Sequence, residues 1–113
     1  MSSIPATALS ALGTAMNVIA HNTANVSTDG FEKSRARFLE TRAGGVTVSI
    51  EGSDERTFCT YPDHPAVTEP ESSNVDLHEE FGRLITTLHA YEAVVATVRE
   101  ENETKRILMD VIV

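Results

Sequence analysis

Histidine is the residue type whose spacing in this chain comes nearest to a metal-site pattern. Of the four histidines, His78 is followed by Glu79 and Glu80, as in the zinc-helix pattern H-E-x-x-H. Position 82 is a glycine, so the second histidine of that pattern is missing. His78 and His89 are eleven residues apart, about three helical turns, which places them on one helix face but too far apart to share a metal ion. We therefore interpret both as polar residues on a helix surface.

The other reactive side chains form no catalytic pattern. Cys59 is the single cysteine, so it cannot form an internal disulfide, and no nearby residue suggests a Cys-His nucleophile. No G-x-S-x-G, P-loop or G-x-G-x-x-G motif occurs, and Gly44-Gly45 indicates a turn before a strand. The paired carboxylates Glu100 and Glu101 are typical of a solvated surface. The sequence predicts no enzymatic activity, no catalytic residues, no metal site and no cofactor.

Length and charge exclude several classes of partner. The chain has 113 residues, which is enough for one domain, with 9 Lys and Arg against 17 Asp and Glu and a net charge of −8. Nucleic acid is disfavoured as a partner because phosphate binding needs concentrated positive charge. Anionic lipid also attracts basic faces, and no stretch approaches the roughly 20 apolar residues of a membrane span. We therefore expect neither nucleic-acid binding nor direct membrane insertion.

The first thirty residues contain one charged side chain, Asp29, and lack the basic start and apolar run of a cleaved signal peptide. Their apolar residues recur at steps of three and four, which predicts a helix over residues 4–25 with a packing seam. The seam residues are Leu9, Leu12, Met16 and Ile19. A surface helix carries charges on its outer face, so an uncharged one indicates that protein covers most of its circumference.

The middle of the chain changes to a two-residue period. Val46, Val48 and Ile50 alternate with polar residues, which predicts a strand, and a turn at 52–55 leads to a second strand over 56–61. A weaker third strand is predicted over 34–40, with Ala36 and Phe38 facing inward. Three prolines, at 62, 65 and 70, indicate an extended loop up to residue 73.

The last segment predicts a long helix over residues 74–111. Ser73 and Asp76 have the spacing of a capping box at its start. The apolar residues then keep four-three spacing, with the seam residues Leu77, Phe81, Leu84, Leu88, Val95 and Val98. This helix spans roughly 55 Å and the first about 30 Å, so pairing within one chain leaves part of the longer stripe uncovered. The surplus must meet another chain or fray.

These elements define one architecture. The fold class is α+β, mainly α, with the N- and C-terminal helices pairing as a coiled coil and a small antiparallel β-hairpin between them. Residues 1–30 and 73–113 are expected to form a discontinuous helical assembly domain, and residues 31–72 a short hairpin insert with a proline-containing loop. A hairpin alone is marginal in water, so it should pack on a helix or on a partner.

Two stretches resemble signatures of the bacterial flagellar rod and hook proteins. The run AHNTANVSTDGF at residues 20–31 is similar to the family's N-terminal signature, A-N-N-x-A-N-x-x-T-x-G-[FY]. The run SNVDLHEEF at 73–81, with LITT at 84–87 and AYEA at 90–93, is similar to the C-terminal signature, S-N-V-D-x-x-x-E-[FM] before L/M-I-x-x-x-R-A-Y-E-A-N. The chain is most similar to a small proximal rod protein. Four positions depart from the family pattern: His21, Thr23, His89 and Val94.

The resemblance implies a non-enzymatic structural subunit of the flagellar basal-body rod. It implies partners among other rod and hook subunits and copies of the chain, and export by the flagellar export apparatus without a cleaved signal peptide into the periplasm-spanning rod. The alternative is a paralogue acting as a protein-binding module or an export or assembly adaptor. The resemblance assigns the assembly motif to Asn22, Ala24, Asn25, Thr28, Gly30, Phe31, Asn74, Val75, Asp76, Glu80, Tyr91 and Glu92.

Two interpretations of the motif residues stay open at this point. Asn22, Asn25 and Asn74 either form hydrogen bonds between subunits or provide local turn and cap chemistry, which asparagine does in many contexts. Tyr91 fits a core position on the seam better than an anchor between subunits.

Overall fold

A computed structural model of the chain describes residues 4–52 and 72–112. Helix α1 (Ile4–Ala24) is followed by strands β1 (Ser34–Glu40) and β2 (Val46–Gly52) and by the long helix α2 (Leu77–Ile112). The predicted fold class is confirmed: two terminal helices enclose one antiparallel hairpin. Knobs-into-holes coiled-coil packing between the helices stays a prediction.

The strand pairing differs from the predicted one. β1, which is the predicted weaker strand, pairs with β2 in register Ala36–Ile50 and Phe38–Val48. A tight turn at 41–45 closes this hairpin, because Thr41 and the two glycines supply its hydrogen bonds and its positive φ angles. The predicted strand at 56–61, with Cys59, and the proline loop at 62–70 lie outside the described residues. The predicted strand at 34–40 is confirmed as the partner of β2 among the described residues, whereas the predicted pairing with 56–61 stays a prediction.

Helix α1 lies at the centre of the fold, with the hairpin and α2 both packed on it. Near its start, Thr7 accepts a hydrogen bond on Oγ1 from the Val46 backbone N–H at 3.1 Å. Near its end, Asn22 binds the backbone of Ser34. The hairpin therefore runs along the length of α1.

Helix α2 runs antiparallel to α1. The segment before α2 meets the segment after α1, where the Asn74 backbone N–H donates to the Phe31 carbonyl at 3.4 Å. From residue 87 onward, the half-buried residues of α2 recur along one face: Thr87, Ala90, Tyr91, Val94, Val95, Val98 and Glu101. This is the face that packs on α1, and every residue from 102 to 112 is exposed beyond it.

Among residues 4–52 and 72–112, the buried apolar side chains all lie on α1. They are Ala11, Leu12, Ala15, Val18 and Ile19. Two of them are alanines, and small side chains let neighbouring elements approach closely. The core of the described chain is therefore one helix stripe covered from two sides, which is small for a free-standing domain.

Candidate functional site

The side chain of Asn22 joins the end of α1 to the base of the hairpin. Its amide Nδ2 donates to the Ser34 carbonyl at 2.8 Å, and its Oδ1 accepts from the Ser34 backbone N–H at 2.9 Å. Asn22 is 0% exposed. One amide thus satisfies both polar groups of a strand residue, as a neighbouring strand would. The structure therefore gives this asparagine a role within the chain.

Asn74 makes a similar link between the segment before α2 and the segment that enters β1. We call the region where the end of α1, residues 31–35 and the start of α2 meet the junction. Its Oδ1 accepts from the Lys33 backbone N–H at 2.7 Å, and its own backbone N–H reaches the Phe31 carbonyl. The two bonds fasten the approach to α2 onto the segment that enters β1. The Asn74 Nδ2 is buried and has no hydrogen-bond partner among the described residues.

A short turn after α1 contains the remaining N-terminal motif residues. Asn25 donates from Nδ2 to the His21 carbonyl at 2.8 Å and accepts from the Thr28 hydroxyl at 3.1 Å. The Phe31 backbone N–H then donates to the Thr28 carbonyl, and Gly30 takes a φ of 73° that favours glycine. His21, where the family usually has asparagine, packs its ring edge-on to Phe31 at 5.4 Å between centroids. These residues end the helix and turn the chain toward β1.

Asp76 of the C-terminal signature has a local role at the start of α2. Asp76 accepts the His78 backbone N–H on Oδ1 at 2.9 Å, so it is the N-cap of α2. This corrects the predicted capping box: Ser73 accepts instead from the Val75 backbone N–H, and α2 begins at Leu77 rather than at residue 74.

The remaining predicted motif residues take no part in the junction. Val75 and Tyr91 are half-buried, and Ala24 and Glu92 are exposed. Thr23 satisfies its hydroxyl by donating to the Ile19 carbonyl at 2.8 Å. Their predicted role in assembly stays a prediction.

A network of charged residues completes the junction, with Glu80 at its centre. Glu80 is 0% exposed, and its Oε1 lies 2.6 Å from Nη1 of Arg35 on β1. The second Arg35 nitrogen, Nη2, lies 2.7 Å from Oε1 of Glu79. Glu79 also meets Arg83 at 3.1 Å and Lys33 at 3.7 Å. A buried ion pair is specific in geometry even where its net stabilisation is small, so Arg35 fixes the rotation of α2 against the hairpin.

The charges in this network shift one carboxyl group. A hydrogen bond from Arg83 holds the pKa of Glu79 below its ordinary value of 4.5. The positive charges of Arg35 and Lys33 act in the same direction, while desolvation acts against them. Glu79 therefore stays ionised well into the acid range.

Among the described residues, the network leaves two buried polar atoms without a hydrogen-bond partner, Arg35 Nη2 and Glu80 Oε2. Among residues 4–52 and 72–112, no three His, Cys, Asp or Glu side chains are placed to hold a metal ion. Neither described helix is long and apolar enough to cross a membrane. The junction positions elements relative to one another, which is what a structural subunit requires.

The inward position of Glu80 turns four of the six predicted α2 seam residues toward solvent. Leu77, Phe81, Leu84 and Leu88 are 37–50% exposed, and Ile85 beside them is 57% exposed. We call these five residues the exposed seam. On α1, the seam residues Leu12 and Ile19 are buried, and Leu9 and Met16 are half-buried. Adjacent helix residues point about 100° apart, so placing Glu80 against Arg35 moves Phe81 off the α1 contact.

A cleft lies between α1, β1 and α2, next to the junction. It has a volume of about 450 Å³. Ala15, Val18 and Ile19 form its floor, and Phe38 and Thr86 lie on its walls. Glu79 and Arg83 stand at its polar end.

Sequence reasoning missed Arg35, Lys33 and Ser34, which hold the junction together. Arg35 and Glu80 are 45 residues apart in sequence. No local period connects an arginine on a short strand with a carboxylate in the first turn of a distant helix. The available signal is that Glu80 belongs to the signature at 73–81, and that signal names no partner.

Comparison with known proteins identifies one family. Residues 4–31 match the family model described as flagella basal body rod protein, which covers α1 and the turn through Phe31. This match, over about a quarter of the chain, confirms the resemblance found in the N-terminal signature. The C-terminal signature lies outside the matched segment and stays a prediction. No curated protein matches the chain significantly.

Proposed function

We propose that this chain is a non-enzymatic structural subunit of the bacterial flagellar basal-body rod, and that it assembles by packing α1 and α2 against neighbouring subunits. The family match at residues 4–31 supports a structural rod role. The observation that carries the assembly mechanism is the exposed seam, a row of large apolar side chains on a rigid helix. Contiguous exposed apolar surface of this kind marks a protein interaction site.

The outer face of α1 supports the same mechanism. Its exposed residues are small or uncharged and recur at helical spacing: Ala6, Ser10, Asn17, Ala20 and Ala24. Burying such a face in an assembly requires no desolvation of charge. A row of small side chains also allows the large apolar side chains of a neighbouring subunit's exposed seam to approach closely.

The partners and the cellular location follow from the proposed role. The partners are other flagellar axial subunits and further copies of this chain, and the location is the rod that spans the periplasm. The flagellar export apparatus would deliver the subunit.

The test uses two double variants expressed in a deletion strain. Leu84→Asp with Leu88→Asp places two charges on the exposed seam, whereas Ala93→Asp with Thr97→Asp places the same charges on the opposite, solvent-facing side. We expect both to keep their helical circular dichroism. Only the seam variant should be missing from isolated basal bodies and should abolish swimming.

Two results would contradict the proposal. Normal motility and normal incorporation of the seam variant would exclude the seam as the assembly surface. Absence of the unmodified chain from basal bodies, together with a single one-to-one complex with another flagellar protein, would favour the adaptor function instead.

A further inference from the structure

The start of α2 buries a charge and exposes apolar side chains, which is the reverse of an ordinary amphipathic helix. Glu80 is 0% exposed, whereas the five residues of the exposed seam are 37–57% exposed. A helix on a protein surface usually turns its apolar stripe inward and its charged residues outward. The orientation of this part of α2 is therefore not the one that its apolar residues favour.

The sequence defines a second orientation of the same helix. The predicted α2 seam keeps four-three spacing from Leu77 to Val98, so a rotation of α2 would place the whole stripe on α1. Adjacent helix residues point about 100° apart, so a rotation of about that size brings Phe81 to the position of Glu80. Val95 is half-buried already and stays near α1 in both cases. We call this arrangement the seam-in orientation.

Apolar burial favours the seam-in orientation in the free chain, because it removes large side chains from water. The observed orientation also has a cost, since Nη2 of Arg35 and Oε2 of Glu80 are buried and have no hydrogen-bond partner among the described residues. One contact opposes the rotation directly. Turning Glu80 outward would break its 2.6 Å contact with Nη1 of Arg35, and separating a buried ion pair is strongly unfavourable.

Arg35 lies on an element that cannot follow such a rotation. Its strand β1 is paired with β2 along its full length, and the neighbouring residue Ser34 is fastened to α1 by both bonds of Asn22. The guanidinium is therefore held at a fixed place beside α1. The position of Glu80 relative to that place decides which face of α2 meets α1.

We propose that Arg35 is a positioning residue whose pair with Glu80 keeps the exposed seam outward in the free chain, so that the chain does not cover its own assembly surface. The inference rests on the proposed function in that it explains how the surface for neighbouring subunits stays available. It adds to that function a second packing of the same chain, which the ion pair prevents.

Two cysteine reporters measure the rotation of α2 in the free chain. Both are placed in a chain with Cys59→Ser, so that the added thiol is its single cysteine. Leu88→Cys reports an exposed seam position, and Thr87→Cys reports the half-buried position beside it. A maleimide should label position 88 faster than position 87 when the Arg35–Glu80 pair is intact, because thiol reactivity follows exposure.

Removing the charge of Arg35 should reverse the two labelling rates. Arg35→Met keeps the aliphatic stem and leaves Glu80 without its partner, so Glu80 should turn toward solvent and the seam toward α1. We expect labelling to slow about tenfold at position 88 and to accelerate about tenfold at position 87. A loss of structural support alone would loosen the packing and raise both rates. Circular dichroism should show that the variant stays helical.

The matched control is the same substitution at the next outward arginine of β1. Arg37 is exposed and pairs with Glu51 at 3.4 Å, so Arg37→Met should leave both labelling rates unchanged. Arg35→Lys keeps a positive charge beside Glu80 and should retain the faster labelling at position 88. Unchanged rates in Arg35→Met, a parallel rise at both positions, or equal behaviour of the lysine and methionine variants would overturn the proposal.

A second variant covers the case in which Arg35→Met fails to fold. Arg35→Met with Glu80→Gln removes both charges of the pair, so no unpaired charge of that pair remains buried. The apolar seam then determines the orientation of α2, and the labelling rates should reverse as before. A folded double variant that labels like the unmodified pair would overturn the proposal.

Basal-body incorporation tests the link to assembly. Arg35→Met should be missing from isolated basal bodies, and Arg37→Met should be incorporated normally. Reversed labelling together with normal incorporation of Arg35→Met would overturn the role of the pair in assembly. The labelling measurements need no flagellum, so absence of the unmodified chain from basal bodies would count against the proposed function alone.

Discussion

At the scale of single residues, the signature asparagines act inside the chain. Asn22 and Asn74 each satisfy backbone groups that a turn between two elements leaves unpaired. Of the two interpretations considered for them, local turn and cap chemistry matches every hydrogen bond that the structure gives these side chains. Their contribution to assembly is then indirect, since they fix where α1 stops and where α2 starts.

Replacing Asn22 tests this role. Asn22→Ala leaves the N–H and carbonyl of Ser34 without partners in a part-buried site, so we expect a loss of about 2–3 kcal/mol in the free energy of unfolding. Asn25→Ala removes bonds at an exposed position and should cost about 1 kcal/mol or less. Urea titration followed by circular dichroism measures both. Equal costs would mean that the Ser34 bonds contribute no more than a surface cap.

Glu79 gives the junction a dependence on pH. Because its pKa is lower in the folded chain than its ordinary value of 4.5, its contribution to stability is complete above that value and is lost as pH falls through the lower folded pKa. We expect Glu79→Gln to reduce the urea midpoint at pH 7 and the difference from the unmodified chain to shrink as the pH falls below 4.5. Glu103→Gln, at an exposed position near the end of α2, is the control. Parallel pH profiles for the two variants would contradict this role for Glu79.

At the scale of elements, the hairpin depends on a close approach of its turn to α1. Gly45 has a φ of 104°, and a Cβ added there would lie 2.6 Å from Oγ1 of Thr7, the atom that accepts the Val46 N–H. We expect Gly45→Ala to destabilise the fold by about 2–3 kcal/mol, from positive φ and the lost hydrogen bond together. Gly44→Ala meets Ile4 only at 3.7 Å and should cost about 1–2 kcal/mol.

A third glycine serves as the control for that experiment. Gly13 lies in the middle of α1 with nothing within 4 Å of an added Cβ, so Gly13→Ala should stabilise the free chain by about 0.5–1 kcal/mol. Thermal unfolding of the three variants gives the order. If Gly45→Ala were no worse than Gly44→Ala, the contact with Thr7 would not constrain the turn.

The elements also show what sequence patterns can and cannot predict. Helical periodicity was sufficient for both helices, and alternation was sufficient for β2, because each is a local property of the chain. The rotation of α2 is not local. It is set by Arg35, which draws Glu80 inward and leaves Phe81 outside. A four-three repeat predicts that a helix has an apolar stripe, but it cannot say which neighbour takes that stripe.

At the scale of the whole molecule, the distribution of burial follows the position of α1. Among the described residues, the buried apolar side chains lie on α1, and α2 buries only Glu80. The large exposed apolar side chains of α2 lie in the exposed seam and in residues 107–112. The net charge of −8 does not bear on the exposed seam itself, since α1 carries no charged side chain and the five seam residues are all apolar.

Hydrogen exchange should reveal this gradient in the free chain. Opening free energies are lowest where few buried contacts hold a helix, so amides in residues 102–112 should exchange much faster than those of residues 87–98, which pack on α1. The hairpin turn at 41–45, which side-chain and backbone hydrogen bonds close, serves as the internal reference. Amides at 102–112 as protected in the free chain as those at 87–98 would contradict this gradient.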